Sequence, residues 1–135
     1  MRVLIVDDDP HFGLALRKTL QLEGLQVEQA QNIPSAFEKL RQFQADVLLL
    51  DLHLGEESGI SMLRRLQESG NSIPVVMMTG EGSMDTVAEA LQLHACDYVT
   101  KPFGKNEIVK ILEQAVQGAK QANIEDEQGA YESIE

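Results

Sequence analysis

One cysteine, few basic residues and no long apolar run set the first limits on this sequence. Cys96 has no second thiol to pair with and belongs to no Cys/His metal set, so an internal disulfide is excluded and a reducing cytoplasm is the expected compartment. Cys96 itself reads as a small buried hydrophobe. The three histidines, His11, His53 and His94, are not spaced as a zinc pair. No apolar stretch approaches the roughly 18 residues that a bilayer span needs. Met1-Arg2 leads into only Val3–Val6 before aspartates begin, too short for the apolar part of a signal peptide. Eleven basic residues stand against 22 acidic ones, a formal charge of −11. Direct nucleic-acid binding depends on basic patches, so this balance argues against it and favours proteins or cations as partners. There is no internal repeat.

What is present is a regular alternation. At 135 residues and 43% hydrophobic, the chain is one domain of ordinary size. Val3–Val6 is short, β-branched and uninterrupted, which predicts a strand buried on both faces. Asp9-Pro10 then supplies an N-cap and a first-turn proline for a helix whose face is Phe12, Leu16 and Leu20, stopped by Gly24. Leu25–Glu28 alternates like a half-exposed edge strand. Asn32 can cap a second helix, with Ile33, Ala36, Phe37 and Leu40 as its stripe. The third strand, Asp46–Leu50, delivers Asp51 at its end. A third helix runs from about Ser58 to Glu68, a fourth strand is Pro74–Met78 closed by Thr79, and a fourth helix covers Ser83–Leu93. The fifth strand is Asp97–Thr100, leading into Lys101-Pro102, and the fifth helix is Asn106–Gly118. After Gly118 the apolar period dissolves, and residues 119–135, with five acidic residues and one lysine, read as an acidic tail or the start of a linker. Five strands alternating with five helices predict an α/β fold with a parallel sheet, commonly of order 2-1-3-4-5.

In that order the first and third strands are neighbours, so Asp7 and Asp8 end beside Asp51, about 4.8 Å away at the strand spacing. Three carboxylates there repel one another, and a divalent cation relieves this; an all-oxygen set favours Mg²⁺ or Mn²⁺ over Zn²⁺. Thr79 ends the next strand and Lys101 the one beyond it, close enough for a long side chain to reach back. A hydroxyl and an ammonium facing a metal-binding carboxylate suit a phosphoryl group, whose oxygens need donors and positive charge. Asp51 would then be the nucleophile, forming an aspartyl phosphate.

Val6-Asp7-Asp8-Asp9-Pro10, Asp51-Leu52-His53-Leu54 with Gly59 eight residues past Asp51, Met78-Thr79-Gly80 and Tyr98-Val99-Thr100-Lys101-Pro102-Phe103 fall in the order and spacing of one family. Over residues 1 to about 118 the chain resembles a response-regulator receiver domain. The resemblance implies a flavodoxin-like (βα)5 fold and transfer of a phosphoryl group to Asp51 from a sensor histidine kinase or phosphotransfer protein. It implies Mg²⁺ held by the side chains of Asp8 and Asp51 and the backbone carbonyl of His53, with Asp7 acting through water. It gives Thr79 and Lys101 the phosphoryl oxygens and makes the Lys101-Pro102 bond cis. Tyr98 becomes a switch residue that moves with Thr79 and repacks the surface of the fourth helix, fifth strand and fifth helix. That surface would serve a downstream output domain or protein, or a phosphorylation-dependent homodimer. On this reading the chain is a stoichiometric phosphoacceptor and signalling protein of the cytoplasm that catalyses its own phosphorylation and dephosphorylation, with no membrane partner.

The chain also departs from the family's pattern. Gly55 stands where the family usually has proline, which would loosen the loop after Asp51. His53 and Glu81 occupy positions that the family uses to tune dephosphorylation, although each is equally readable as an inert surface residue. His94 replaces a common helix-ending glycine, so either a strained cap or a longer helix is expected. Helix five lacks the arginine of receivers attached to winged-helix outputs, and Gly80–Met84 looks more like receivers that control enhancer-dependent ATPases. Seventeen residues after helix five are too few for an output domain, which leaves a stand-alone receiver or a fragment. A Mg²⁺-dependent phosphatase with an aspartyl nucleophile would want a second Asp where His53 stands. A flavin or nucleotide carrier would need N–H donors where Asp7-Asp8-Asp9 repel phosphate. A phosphorylation-independent scaffold, a pseudo-receiver, would be expected to lack a pocket residue, and none is missing.

Overall fold

The computed structural model describes residues 1–80 and 84–132, with backbone alone over 122–132. Strand and helix alternate as β1 (Arg2–Val6), α1 (Pro10–Leu22), β2 (Gln26–Ala30), α2 (Ile33–Phe43) and β3 (Val47–Asp51). Two short strands follow, β4 (His53–Leu54) and β5 (Glu57–Ser58), and then α3 (Gly59–Glu68), β6 (Val75–Thr79), α4 (Met84–Gln92), β7 (Asp97–Thr100) and α5 (Lys105–Glu132). The main sheet is parallel throughout, in the order β2-β1-β3-β6-β7. Counted over the five sheet strands this is the 2-1-3-4-5 order of the flavodoxin-like fold.

The uninterrupted apolar runs of the central strands follow from having helices on both faces. Leu4 and Val6, Leu48 and Leu50, and Val75 and Met77 point into a core shared with Ile33 and Ala36 of α2, Ile60, Leu63 and Leu66 of α3, and Ala90 of α4. Their neighbours Val3 and Ile5, Val47 and Leu49, and Val76 and Met78 point the opposite way, against Leu16 and Leu20 of α1 and Ile108, Leu112 and Ala115 of α5. Each fully buried aliphatic side chain is worth about 2 kcal/mol, so a polar residue at any of these positions would cost either half of the core. The edges relax the rule: β2 and β7 mix buried residues with half-buried and exposed ones.

Helix starts follow their caps. The Asp9 side chain accepts from the backbone N–H of His11 and Phe12, Asn32 from Ser35, and Ser58 from Ile60. The ends are more varied. Gly24 and Gly70 turn the chain at positive φ, as glycine does most cheaply, but Gln44 and His94 also do so, at 54° and 69°. His94 is therefore the strained cap of the two alternatives, and α4 ends at Gln92; its expected start at Ser83 lies outside the described residues.

Two expectations are corrected. Cys96 is exposed rather than buried. It sits just ahead of β7 with its N–H bonded to the Val75 carbonyl, and the adjacent Ala95 takes the core position. The fifth helix does not stop at Gly118 but continues to Glu132. The sequence beyond Gly118 loses its apolar stripe, yet it is rich in Ala, Gln and Glu and free of proline. A single glycine costs a helix only about 1 kcal/mol. Loss of a packing face is not loss of helicity.

Candidate functional site

Parallel strands that start level end level, and here four of them end in chemistry. Val6 pairs with Leu50, so Asp7 emerges beside Asp51; Asp51 pairs with Met78, so Thr79 follows one residue later on the next strand; and Thr79 pairs with Thr100, just before Lys101. Asp7, Asp51 and Thr79 are all buried, at 3%, 7% and 3% exposure, an unusual state for two carboxylates in one place. Asp8 lies on the exposed side. One carboxylate oxygen from each of Asp7, Asp8 and Asp51 falls within 4.8 Å of the others.

Lys101 reaches further back than the strand count suggests. Its Nζ donates to Asp7 Oδ2 at 2.6 Å and to Asp51 Oδ2 at 3.1 Å, passing the nearer carboxylate to pair most closely with the farther one. Three of the other oxygens are engaged by backbone. Asp7 Oδ1 accepts from the Asp9 N–H, Asp51 Oδ1 from the His53 N–H, and Asp8 Oδ2 from the Gly55 N–H. Burial drives the Asp7 carboxyl above its ordinary value; Lys101 and the Asp9 N–H pull the other way without prevailing, and the Asp51 charge adds to the rise. Burial alone would lower the Lys101 ammonium, but the Asp7 hydrogen bond and the Asp51 charge outweigh it, and the net shift is upward.

One ammonium against three carboxylates leaves the cluster short of positive charge. The donors are hard oxygens, and a buried carboxyl resists ionising. That is the chemistry of a site for a small divalent cation such as Mg²⁺, and the residues present fit one.

The other residues expected at the site are placed as follows. The Lys101-Pro102 peptide is cis. The Lys101 N–H donates to the Thr79 carbonyl at 2.7 Å, which ties the two strand ends together. His53 is exposed in β4, with its peptide beside Asp51. Tyr98 is half-buried, its ring against the core under α2, α3 and α4. Glu81 lies outside the described residues.

For three residues that the sequence does single out, the contact made at the site has no signal in the sequence. Gly55, at φ 66°, occupies the first position of the two-residue turn joining β4 to β5, where glycine is favoured. Its N–H holds Asp8, a donation that a proline at this position could not make. Gly59 opens α3 against the Asp51 backbone carbonyl, and any Cβ there would overlap that oxygen. Phe12, read beforehand only as a helix-face residue, lies under Lys101, whose Nζ is 4.1 Å from the ring centroid.

The family model described as "Response regulator receiver domain" matches residues 3–113. The chain is 34% identical over 116 residues to the regulatory protein AtoC of Escherichia coli (strain K12), which covers 86% of this chain and 25% of that protein. It is 37% identical over 109 residues to the virulence transcriptional regulatory protein PhoP of Salmonella typhimurium (strain 14028s / SGSC 2262), covering 81% of this chain and 49% of that one. This chain thus spans between a quarter and a half of the length of these curated relatives. Among solved structures, the chemotaxis protein CheY4 of Vibrio cholerae matches with a TM-score of 0.78 at 26% identity, over 84% of this chain and 97% of that one.

Proposed function

The chain belongs to the response-regulator receiver domain family, and on that footing we propose that it is a phosphorylation-activated switch whose phosphoacceptor is Asp51. The observation that carries this is the junction of one buried carboxylate with both an acidic cluster and a lysine: Asp51 lies within 4.8 Å of Asp7 and Asp8 oxygens and 3.1 Å from Lys101 Nζ. An Asp51 oxygen attacks the phosphorus of a phosphohistidine on a sensor kinase or phosphotransfer protein. The P–N bond breaks, and the imidazole leaves with the electron pair and is protonated. Lys101 is already at the nucleophile, and Thr79 follows on the neighbouring strand, so an ammonium and a hydroxyl are available to the phosphoryl oxygens. Asp8, Asp51 and the His53 carbonyl, supported by Asp7, would hold Mg²⁺ or Mn²⁺. A bound cation there neutralises charge on the transferring group. Water then cleaves the P–O bond of the aspartyl phosphate, releasing inorganic phosphate and the free Asp51 carboxylate, so the chain is a stoichiometric acceptor that returns to its starting state.

The phosphoryl group brings a new dianion to a surface built to respond. Thr79 moves toward it, Tyr98 changes its packing, and the face made by α4, β7 and α5, where Met84 and Leu91 are exposed, presents a different surface to an output domain, a downstream protein or a second copy. His53 and Glu81 tune how long the group persists. The signalling unit is residues 1–118, with 119–135 as tail or linker, and it works in the cytoplasm. Among the described residues no helix is long and apolar enough to cross a membrane. Acetyl phosphate, or beryllofluoride as its mimic, should modify the wild type in the presence of Mg²⁺ and leave Asp51→Asn unmodified, as read by mass and by NMR. Equal labelling of the two proteins would remove Asp51 from the role.

A further inference from the structure

We propose that Phe12 is a positioning residue for Lys101, an aromatic platform that holds the ammonium at the reacting carboxylate; the reading rests on the proposed phosphotransfer function. The Lys101 ammonium has three N–H groups. Two directions are met by Asp7 Oδ2 at 2.6 Å and Asp51 Oδ2 at 3.1 Å, and its Nζ also lies 4.1 Å from the centroid of the Phe12 ring. A ring's electron-rich face attracts a cation, more strongly as water is excluded, and the Lys101 side chain is only 25% exposed.

The platform is fixed from both sides. Phe12 lies in the first turn of α1, where its N–H donates to Asp9 Oδ1; the Asp9 N–H in turn donates to Asp7 Oδ1. On the other side the Phe12 ring meets Phe103 in a T-shaped contact, centroids 6.0 Å apart and planes at 87°. Phe103 is two residues past Lys101, across the cis peptide to Pro102. A closed circuit results: Asp7 to Asp9, Asp9 to Phe12, Phe12 to Phe103, along the chain to Lys101, and from Lys101 back to Asp7. Every link is a contact or a short run of backbone, so Phe12 cannot shift without disturbing the lysine.

Leucine at this position would keep an apolar side chain on the α1 face and remove the π face. Without the ring, the ammonium is held by the carboxylates alone and spends less time aimed at Asp51. Phosphorylation of Phe12→Leu by acetyl phosphate with Mg²⁺ should be about three- to tenfold slower than wild type, the range of a cation–π contact at a partly exposed site. Phe12→Tyr, which keeps the ring, should stay within about twofold of wild type on the same scale. A second readout needs neither metal nor phosphodonor. In the wild type the Lys101 ε-methylene protons should be shifted upfield by the ring current, in Phe12→Tyr likewise, and in Phe12→Leu not. Thermal midpoints of both variants establish that they are folded.

A Phe12→Leu protein with wild-type rate and unmoved Lys101 protons overturns the proposal. Equal slowing of the leucine and tyrosine variants also overturns it, since side-chain fit rather than the π face would then matter. Should the wild type fail to label at Asp51, the phosphotransfer reading falls, and the proton shifts still decide whether Phe12 positions Lys101.

Discussion

Asp7 is the residue most at odds with its surroundings. Its carboxyl is pushed up by burial, then partly restored by Lys101 and the Asp9 N–H. A carboxyl raised above its unfolded value keeps its proton longer in the native state than in the unfolded one. Native stability from this group is therefore present at acid pH and is lost as pH rises through the window above the ordinary value of 3.8. Asp7→Asn carries no such charge. In metal-free protein the variant should gain on the wild type as pH climbs above 3.8, and its thermal midpoint should be the higher of the two once the wild-type carboxyl has ionised. Parallel pH dependence of the two midpoints would show that Asp7 titrates without strain. Lys101 follows the same sign in a far more alkaline window: its raised ammonium stabilises the fold below about pH 10.5 and ceases to do so as pH rises beyond its native value.

At the scale of elements, the approach of α3 to the end of β3 is the tightest joint near the site. Gly59→Ala puts a Cβ on the Asp51 carbonyl oxygen, with backbone rather than a flexible side chain as the obstacle. We expect a loss of about 1–3 kcal/mol, a drop of several degrees in thermal midpoint, together with slower labelling of Asp51; an unchanged midpoint and rate would mean that the joint yields freely. His94 offers the reverse. It holds a left-handed φ of 69° at an exposed position, and His94→Gly should stabilise by about 0.5–1 kcal/mol in thermal unfolding; a loss would show that the imidazole contributes packing that offsets the strain. These elements also show what a sequence discloses. Val3–Val6, Val47–Leu50 and Val75–Met78 declare themselves because burial on both faces leaves no room for polar residues, and the strand ends, hence Asp7, Asp8, Asp51, Thr79 and Lys101, follow from them. Asp9 and Asn32 declare helix starts because capping is local. The hairpin at His53–Ser58 is too short to show a period. The left-handed turn at Gln44 breaks the usual residue preference, and the continuation of α5 past Gly118 has no packing stripe to mark it. Phe12 satisfies the apolar pattern of its helix so well that its second contact, with a lysine far along the chain, leaves no local trace.

For the molecule as a whole, charge is the dominant fact. Twenty-two acidic residues against 11 basic ones repel one another in the folded state, and part of the excess is concentrated where Asp7, Asp8 and Asp51 meet. Mg²⁺ that binds the native cluster and not the unfolded chain should stabilise the whole domain, by about 2.7 kcal/mol at a hundred times its dissociation constant. The shift in midpoint should nearly vanish in Asp8→Asn, whereas NaCl at matched ionic strength should reproduce little of it. Equal shifts with NaCl would mean simple screening in place of a site. The same whole-molecule view gives α5 another meaning. Its root is packed on the sheet through Ile108, Leu112 and Ala115, and its start follows the loop that carries Lys101 and Phe103. Beyond Ala115 lies about 25 Å of further helix, at about 1.5 Å per residue. Such a rod works as a pointer: a tilt of about 5° at its root carries Glu132 sideways by about 2 Å, so an adjustment too small to notice beside Asp51 is magnified at the far end.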